Sequence, residues 1–370
     1  MKISTITCHD VYNYGASLQA YALQHYLESQ GHQYSIINYK PPYLSNHYRL
    51  DLVANSKFDR PFVKQIYLLA KLPGRIRGLR RKRRFDRFTQ KFLHLTEKRY
   101  TSSEEIESDL PASDLYIAGS DQIWNTFFKN GRDRAFYLDF AKNNGSRRIS
   151  YAASFATDKI HNGAEEKVKS WLANFDSISV RESSALDLLA QLGFNDAELV
   201  CDPVFLLSKE QWLKLAEESE YNAGWKDYIF LYDCEQSDKL RSVAERLREI
   251  SDRKIVAVSE TSGKYANKNL DLGGPLEFLS LIVNAGYVVA NSFHALAFAI
   301  IFQKPFFIVN RKEGINTRMR DFLTYLSLNR RLIDSPEQVT LAPIEFGYVN
   351  AKVESMIEKS KNFLSKQIEL

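Results

Sequence analysis

The chain has 370 residues, enough for about two domains that each bury a core, and its 44% hydrophobic and 26% charged residues exclude disordered and fibrous classes. Lys and Arg number 50 against 45 Asp and Glu, a formal charge of +5 too small on its own to name a partner. Cys8, Cys201 and Cys234 are too few and too scattered for a disulfide framework or a metal cluster, which points to a reduced cytoplasmic setting without a resident metal.

Residues 2–7 alternate β-branched and small side chains as a strand does, and a polar turn from Cys8 to Gly15 follows. Leu and Tyr then recur at helical spacing over 17–27, stopped by Gly31, and 34–39 reads as the next strand. In such a βαβ unit the first loop lies at the carboxyl edge of the sheet, where ligands bind. Asn13, Tyr14 and Gly15 are therefore candidate binding residues, although Asn and Gly are also ordinary caps before a helix.

From Lys71 to Arg99 the chain carries twelve cations against only Asp86 and Glu97, a local charge of +10 that leaves the rest at −5. Between Arg75 and Arg87, Ile76 and Leu79, and then Phe85 and Phe88, give a helix a partly apolar side among cations. That pattern predicts docking on an anionic membrane surface, each cation contributing about 1 kcal/mol, with a solvated helical face as the plain alternative. Nothing resembles a nucleic-acid recognition module, so nucleic acid is not an expected partner.

Strands are expected at 114–118, 148–153 and 177–180, the last stopping at Arg181-Glu182 before a helix over 183–192. After Asp202-Pro203-Val204 a helix at 209–219 opens a second series, with strands at 228–232, 254–259, 287–290 and 305–309. Helices fall at 239–250, 276–284 and 293–302, and a last one at about 353–364 closes the chain. The most apolar region, 279–310, is interrupted by Asn284, Asn291, His294, Gln303 and Lys304 too often to span a bilayer, and no signal-like apolar run opens the chain. The expected architecture is α/β: two Rossmann-like domains facing across a cleft. Residues 1–205 form the first, with a basic helical insertion at about 60–100; 206–350 form the second, and 351–370 a closing helix.

Three constellations carry chemistry. Asn291-Ser292-Phe293-His294-Ala295 sits where a strand meets a helix, a ready anion site in which a His beside a phosphate dianion can act as general acid. A His that merely caps or packs in the cleft fits the spacing equally well. Arg181, at the carboxyl edge of its strand, can clamp a carboxylate or phosphate bidentately, with Glu182 and Asp187 as simpler ion-pair partners. The loop Ser120-Asp121-Gln122-Ile123-Trp124-Asn125 gathers hydroxyl, carboxylate, amide and indole as carbohydrate sites do, or else is a self-bonded turn anchored by Trp124. No Walker loop, dinucleotide glycine fingerprint or nucleophile elbow is present, which favours chemistry without a bound cofactor.

Taken together, Asn13-Tyr14-Gly15-Ala16, Gly119 to Asn125, Ser150-Tyr151-Ala152-Ala153-Ser154-Phe155, Ser179 to Glu182, Asp202-Pro203-Val204 and Asn291 to Ala295 resemble the polysaccharide pyruvyl transferase family. They occur in family order from about residue 10 to 310. The resemblance implies a fold similar to the type-B glycosyltransferases (GT-B). It also implies transfer of the enolpyruvyl-derived group of phosphoenolpyruvate onto two hydroxyls of a sugar. The product is a pyruvate ketal on a cell-surface polysaccharide or its lipid-linked precursor, and phosphate is released. It makes His294 the catalytic histidine and Arg181 an arginine that holds the donor. Where family members carry an Arg two positions before that His, this chain has Ser292. A second donor clamp is then expected from Arg311, Lys312, Arg318 or Arg320, beside Ser292 and Phe293. Asn13, Tyr14, Gly15, Ser120, Asp121, Gln122, Trp124 and Asn125 are expected on the acceptor side. A sugar-nucleotide-dependent glycosyltransferase and a non-enzymatic anion-binding adaptor are the competing readings, and the expected location is the cytoplasm, peripheral to the inner face of the membrane.

Overall fold

The computed structural model describes residues 1–44, 60, 62–221, 223–258, 265–270, 273–312 and 316–369. The first half contains β1 (Lys2–Ile6), α1 (Tyr14–Ser29), β2 (Gln33–Tyr39), α2 (Val63–Phe92), β3 (Leu95–Tyr100) and α3 (Ser103–Ser108). It continues with β4 (Leu115–Ala118), β5 (Arg147–Ser150), α4 (Glu165–Leu172), β6 (Ser179–Val180), α5 (Ser183–Gln191) and β7 (Glu198–Leu199). Its main sheet is wholly parallel in the order β3-β2-β1-β4-β5. The β6-β7 pair extends it through bridges Ile149 to Ser177 and Ala153 to Val180.

The second half repeats the plan with α6 (Lys209–Glu217), β8 (Tyr228–Tyr232), α7 (Asp238–Ser251), β9 (Ile255–Val258), β10 (Lys268–Asn269) and α8 (Pro275–Val283). It ends with β11 (Ala285–Ala290), α9 (Phe293–Ile301), β12 (Phe306–Ile308), α10 (Thr317–Tyr325) and α11 (Phe346–Glu369). Its parallel sheet runs β10-β9-β8-β11-β12. Inner strands of parallel sheets are covered on both faces, so their sequences are near-continuous apolar runs. β4 (Leu-Tyr-Ile-Ala) and β8 (Tyr-Ile-Phe-Leu-Tyr) are such runs, and every residue in them is buried.

One apolar cluster joins the halves, with Leu18 and Leu23 of α1 packed in the same core as Trp212, Phe278 and Phe298. The Tyr14 ring stacks on Phe278 at 4.8 Å, and Tyr21 meets Trp212 at 5.9 Å. Above this floor the carboxyl ends of β1, β4, β6 and β11 turn toward one another, and the loops they lead into form the cleft. The chain then crosses back. α11 starts at Phe346, inside the span expected for the second domain, and returns to the first half, where Cys201 N donates to Ser360 Oγ at 2.7 Å. Arg147 Nη2 donates to Gln367 Oε1 at 2.7 Å in the same contact.

Two expectations for the basic segment need correction. It is not helical to residue 100, because Leu95–Tyr100 forms the edge strand of the first sheet, its charged residues being tolerated where one side of a strand is unpaired. Nor do Phe85 and Phe88 belong to a membrane-facing side, since both rings are fully buried. Phe85 lies 5.3 Å from the Tyr14 ring, and the buried Arg81 guanidinium lies over both at about 5 Å. Arg84 Nη1 reaches Glu277 of α8 at 2.6 Å, so the second half of α2 straps the two halves together.

Candidate active site

Each polar residue of the cleft comes from the end of a strand or the first turn of a helix. Arg181 follows β6 directly, Ser120 and Asp121 follow β4, and Asp202 lies just beyond β7. His294 and Arg318 are the second residues of α9 and α10. Three loops and two helix starts thus bring together positions up to 198 residues apart.

Asp202 is the centre of the arrangement. Its Oδ2 accepts from Arg181 Nη1 and from Ser120 Oγ at 3.2 Å, and His294 Nε2 stands 3.6 Å away. Arg181 Nη2 donates to Asp121 Oδ1 at 3.1 Å, and Arg318 Nη1 approaches the same oxygen at 3.6 Å. The Phe293 ring lies 5.0 Å from the Arg181 guanidinium and 5.9 Å from that of Arg318. Asp121 has φ of +73°, a strained value for a non-glycine residue that turns its carboxylate toward the two arginines. Glu182 Oε1 accepts from Ser154 Oγ at 2.8 Å and Ala156 N at 2.9 Å, tying the next loop to the same cluster.

Electrostatics follow from burial and pairing. Burial pushes the Asp202 carboxyl upward, but Arg181 and His294 outweigh it and hold it well below the usual carboxylate range. Asp121 is lowered in the same way, burial being outweighed by Arg181, His294 and Arg318. Glu182 is raised, because burial there exceeds the help of Arg181. Burial and the nearby Arg181 charge bring Arg318 down to about 10. His294 Nε2, Arg181 Nε and Arg318 Nε are buried without a hydrogen-bond partner among the described residues. Glu182 Oε2 is a buried acceptor in the same state, 4.0 Å from Arg181 Nε, so the cluster holds both donors and an acceptor beyond hydrogen-bond reach of one another.

Gly15 sets the imidazole against the first half. A Cβ on Gly15 would stand 1.9 Å from His294 Nδ1, so the first turn of α1 can approach the ring this closely only with glycine there. The resulting pocket is bordered by Asn13, Asp121 and Gln122 from one half and by Ser292, His294, Arg311 and Arg318 from the other.

The expected residues divide sharply. His294, Arg181, Ser120, Asp121, Phe293 and Arg318 meet in the cluster, while Gln122, Ser292 and Arg311 line the pocket. Asn13 both lines it and caps α1, accepting from Ala16 N at 3.2 Å. Of the four expected second clamps, Arg318 is buried beside Arg181, and Arg311 lies 3.7 Å from Glu235. Arg320 instead pairs with Asp321 at 3.1 Å in an exposed position, and Lys312 is exposed.

Three expected acceptor contacts are corrected. Trp124 is wholly buried, stacked on Tyr137 at 5.6 Å with its Nε1 donating to the Phe136 carbonyl, so it has no face for a sugar. Asn125 is also wholly buried and spends its amide on Gln122 Oε1 and Phe127 N. Tyr14 lies in the floor between the halves, its hydroxyl donating to the Gly273 carbonyl at 3.2 Å. Two charged members of the cluster carried no expected role. Asp202 and Glu182 enter the sequence reading as members of the motifs Asp202-Pro203-Val204 and Ser179 to Glu182, and Glu182 also as an ion-pair partner for Arg181, but neither has an expected role in the site.

A family model described as polysaccharide pyruvyl transferase matches residues 13–313. No curated protein matches the chain. Among solved structures, the UDP-GlcNAc 2-epimerase of Methanocaldococcus jannaschii in complex with UDP-GlcNAc and UDP is similar with a TM-score of 0.53 and 17% identity, over 99% of this chain and 100% of that one. The UDP-GlcNAc 2-epimerase of Neisseria meningitidis bound to UDP-GlcNAc gives a TM-score of 0.53 at 10% identity, with 100% of both chains covered. At these identities the likeness is one of fold: two Rossmann-like halves in the arrangement of the type-B glycosyltransferases.

Proposed function

The chain belongs to the polysaccharide pyruvyl transferase family, and from that premise we propose that it moves the enolpyruvyl-derived group of phosphoenolpyruvate onto two hydroxyls of a glycan sugar, releasing phosphate. The observation that carries this reading is the buried His294, its Nε2 unpartnered, beside two buried guanidiniums in a pocket bordered by both halves. Phosphoenolpyruvate presents a phosphate and a carboxylate, the two groups that guanidinium forks hold best. Arg181 and Arg318 would bind them. His294 then gives the Nε2 proton to the methylene carbon, which leaves the adjacent carbon electron-poor. One sugar hydroxyl adds there, phosphate leaves, and the second hydroxyl closes the ketal. Of the two hydroxyl protons lost, one restores His294 and the other leaves with phosphate. Asp202 balances the charge of Arg181 and of the protonated imidazole 3.6 Å away, and so acts as a positioning residue.

The test is phosphate release from phosphoenolpyruvate with galactose- or N-acetylmannosamine-containing lipid-linked glycans. We expect release with one class of acceptor, reduced about 10²–10⁴-fold in His294→Ala. The reading falls if no acceptor gives release and His294→Ala binds phosphoenolpyruvate as the wild type does. Thermal stabilisation by UDP-sugars, with none by phosphoenolpyruvate, would favour a sugar-nucleotide enzyme instead.

A lipid-linked acceptor places the protein at a membrane surface. No helix among the described residues is long and apolar enough to cross one. With Phe85 and Phe88 in the core, the apolar side available for docking moves to the start of α2. Phe62, Ile66, Leu69 and Ile76 are exposed there at helical spacing, flanked by the exposed Lys64 and Lys71. An anionic bilayer is the occupant this combination of charge and apolar area fits.

A further inference from the structure

A second concavity lies at the carboxyl edge of β2 and β3, away from the arginine cluster, with a volume of about 780 Å³. Its lining mixes rings, cations and two carboxylates, Asp133 and Glu104, the latter paired with Arg134. Asp133 Oδ2 accepts from Tyr39 Oη at 2.6 Å and from Tyr43 Oη at 2.5 Å, while Oδ1 accepts from Ala135 N at 3.0 Å. One carboxylate thus fixes two tyrosines. Burial and the Asp133 charge raise both phenols, which keeps them neutral. Across the groove the half-buried Trp171 packs against Tyr137 at 5.1 Å, beside His161.

The cations are of two kinds. Arg134 is committed to Glu104, Glu107 and Asp139. Lys129, Arg132 and Lys167 are exposed at the rim and make no ion pair among the described residues. Tyr39 is buried, but the partly exposed rings of Tyr43 and Trp171 suit the apolar face of a sugar, and unpaired cations suit an acidic substituent. A neutral saccharide would leave the cations unused, and a bare anion would leave the rings unused.

The groove and the cleft share a loop. Gln122 borders the cleft, and its carbonyl accepts from Asn130 Nδ2 at 2.6 Å, between the groove residues Lys129 and Arg132. One loop thus contributes residues to both concavities. We propose that this groove binds an acidic saccharide, carrying carboxylate or phosphate groups, which is the part of the acceptor beyond the sugar that is modified. The inference rests on the transferase reading for its role, but the binding itself is independent of it.

The test is calorimetric titration of the full chain with tetragalacturonate and with mannose 6-phosphate, against maltotetraose and inorganic phosphate as controls. At least one acidic saccharide should bind about tenfold more tightly than maltotetraose, and which of the two does so distinguishes carboxylate from phosphate recognition. The double variant R132Q/K167Q alters only exposed side chains and should lose about tenfold in that affinity, with an unchanged far-UV circular dichroism spectrum. His294→Ala should bind as the wild type does. The inference is overturned if neither acidic saccharide binds, if maltotetraose binds as tightly, or if R132Q/K167Q binds undiminished; inorganic phosphate held in the cleft is recognised by its survival in R132Q/K167Q. Stabilisation by phosphoenolpyruvate reports on the cleft alone and should survive in R132Q/K167Q. Groove binding without any effect of phosphoenolpyruvate would sink the transferase reading and leave the saccharide site standing.

Discussion

Gly15 and Asp202 hold His294 from opposite sides, and each makes a different prediction. In Gly15→Ala the new methyl would overlap the imidazole, so the ring must turn while the fold persists. Turnover should fall about 10²-fold with donor binding largely kept, as measured by steady-state kinetics and thermal shift. Asp202→Asn leaves the buried Arg181 undercompensated, and urea unfolding should show a loss of about 3–5 kcal/mol. The sign of the pH effect follows from the lowered carboxyl of Asp202. Its stabilisation is present above the unfolded value near 3.9 and is lost as pH falls below it, so acid unfolding should be shallower in Asp202→Asn. Glu182 is raised and acts in the opposite sense, so Glu182→Gln should not weaken the protein at neutral pH. The sequence showed His294 because its signal is local, a polar residue where a strand meets a helix. Asp202 was opaque because its partners Ser120, Arg181 and His294 are 82, 21 and 92 positions away. Trp124 misled for the same reason, since Tyr137, Phe155 and Phe175 cover it.

At the level of elements, helices and inner strands were legible wherever burial imposes a period or an apolar run, as in α9, β4 and β8. β3 was not, because Leu-Thr-Glu-Lys-Arg-Tyr carries the charges of an edge strand and sits within a basic segment. α2 divides into two working parts. Its second half is committed to the protein through Phe85, Phe88 and Arg84, whereas its first turns expose apolar side chains. Ile66→Glu with Leu69→Glu should therefore abolish co-sedimentation with anionic vesicles and leave soluble-acceptor turnover intact. Undiminished sedimentation would remove the docking role. The pair between Arg84 and Glu277 is partly exposed, so its loss should cost only about 1 kcal/mol.

For the whole molecule, the apolar floor and the polar cleft above it divide stability from chemistry. The pocket between the halves is only about 50 Å³, too small for a phosphorylated three-carbon acid with its acceptor sugar. On the proposed reaction, the two substrates would enter by a parting of the halves. Hydrogen exchange should be faster at the start of α9 in the free protein and slower with phosphoenolpyruvate, and identical protection in the two states would contradict this opening. That two similar halves exist was readable from the recurrence of strand, loop and helix. Their junction was not, because the contacts of Tyr14 with Phe278 and Tyr21 with Trp212 have no counterpart in local pattern.

The return of α11 to the first half has a consequence for how damage to this protein would be recognised. Ser360 holds the backbone of Cys201, the residue before Asp202, so a change on a remote helix reaches the carboxylate beside His294. Ser360→Ala leaves a buried N–H without its partner, at a cost of about 1–3 kcal/mol. A genetic screen for lost glycan modification would then recover lesions in the tail alongside those in the cleft. Complementation would group them as one class, although only the latter touch a ligand.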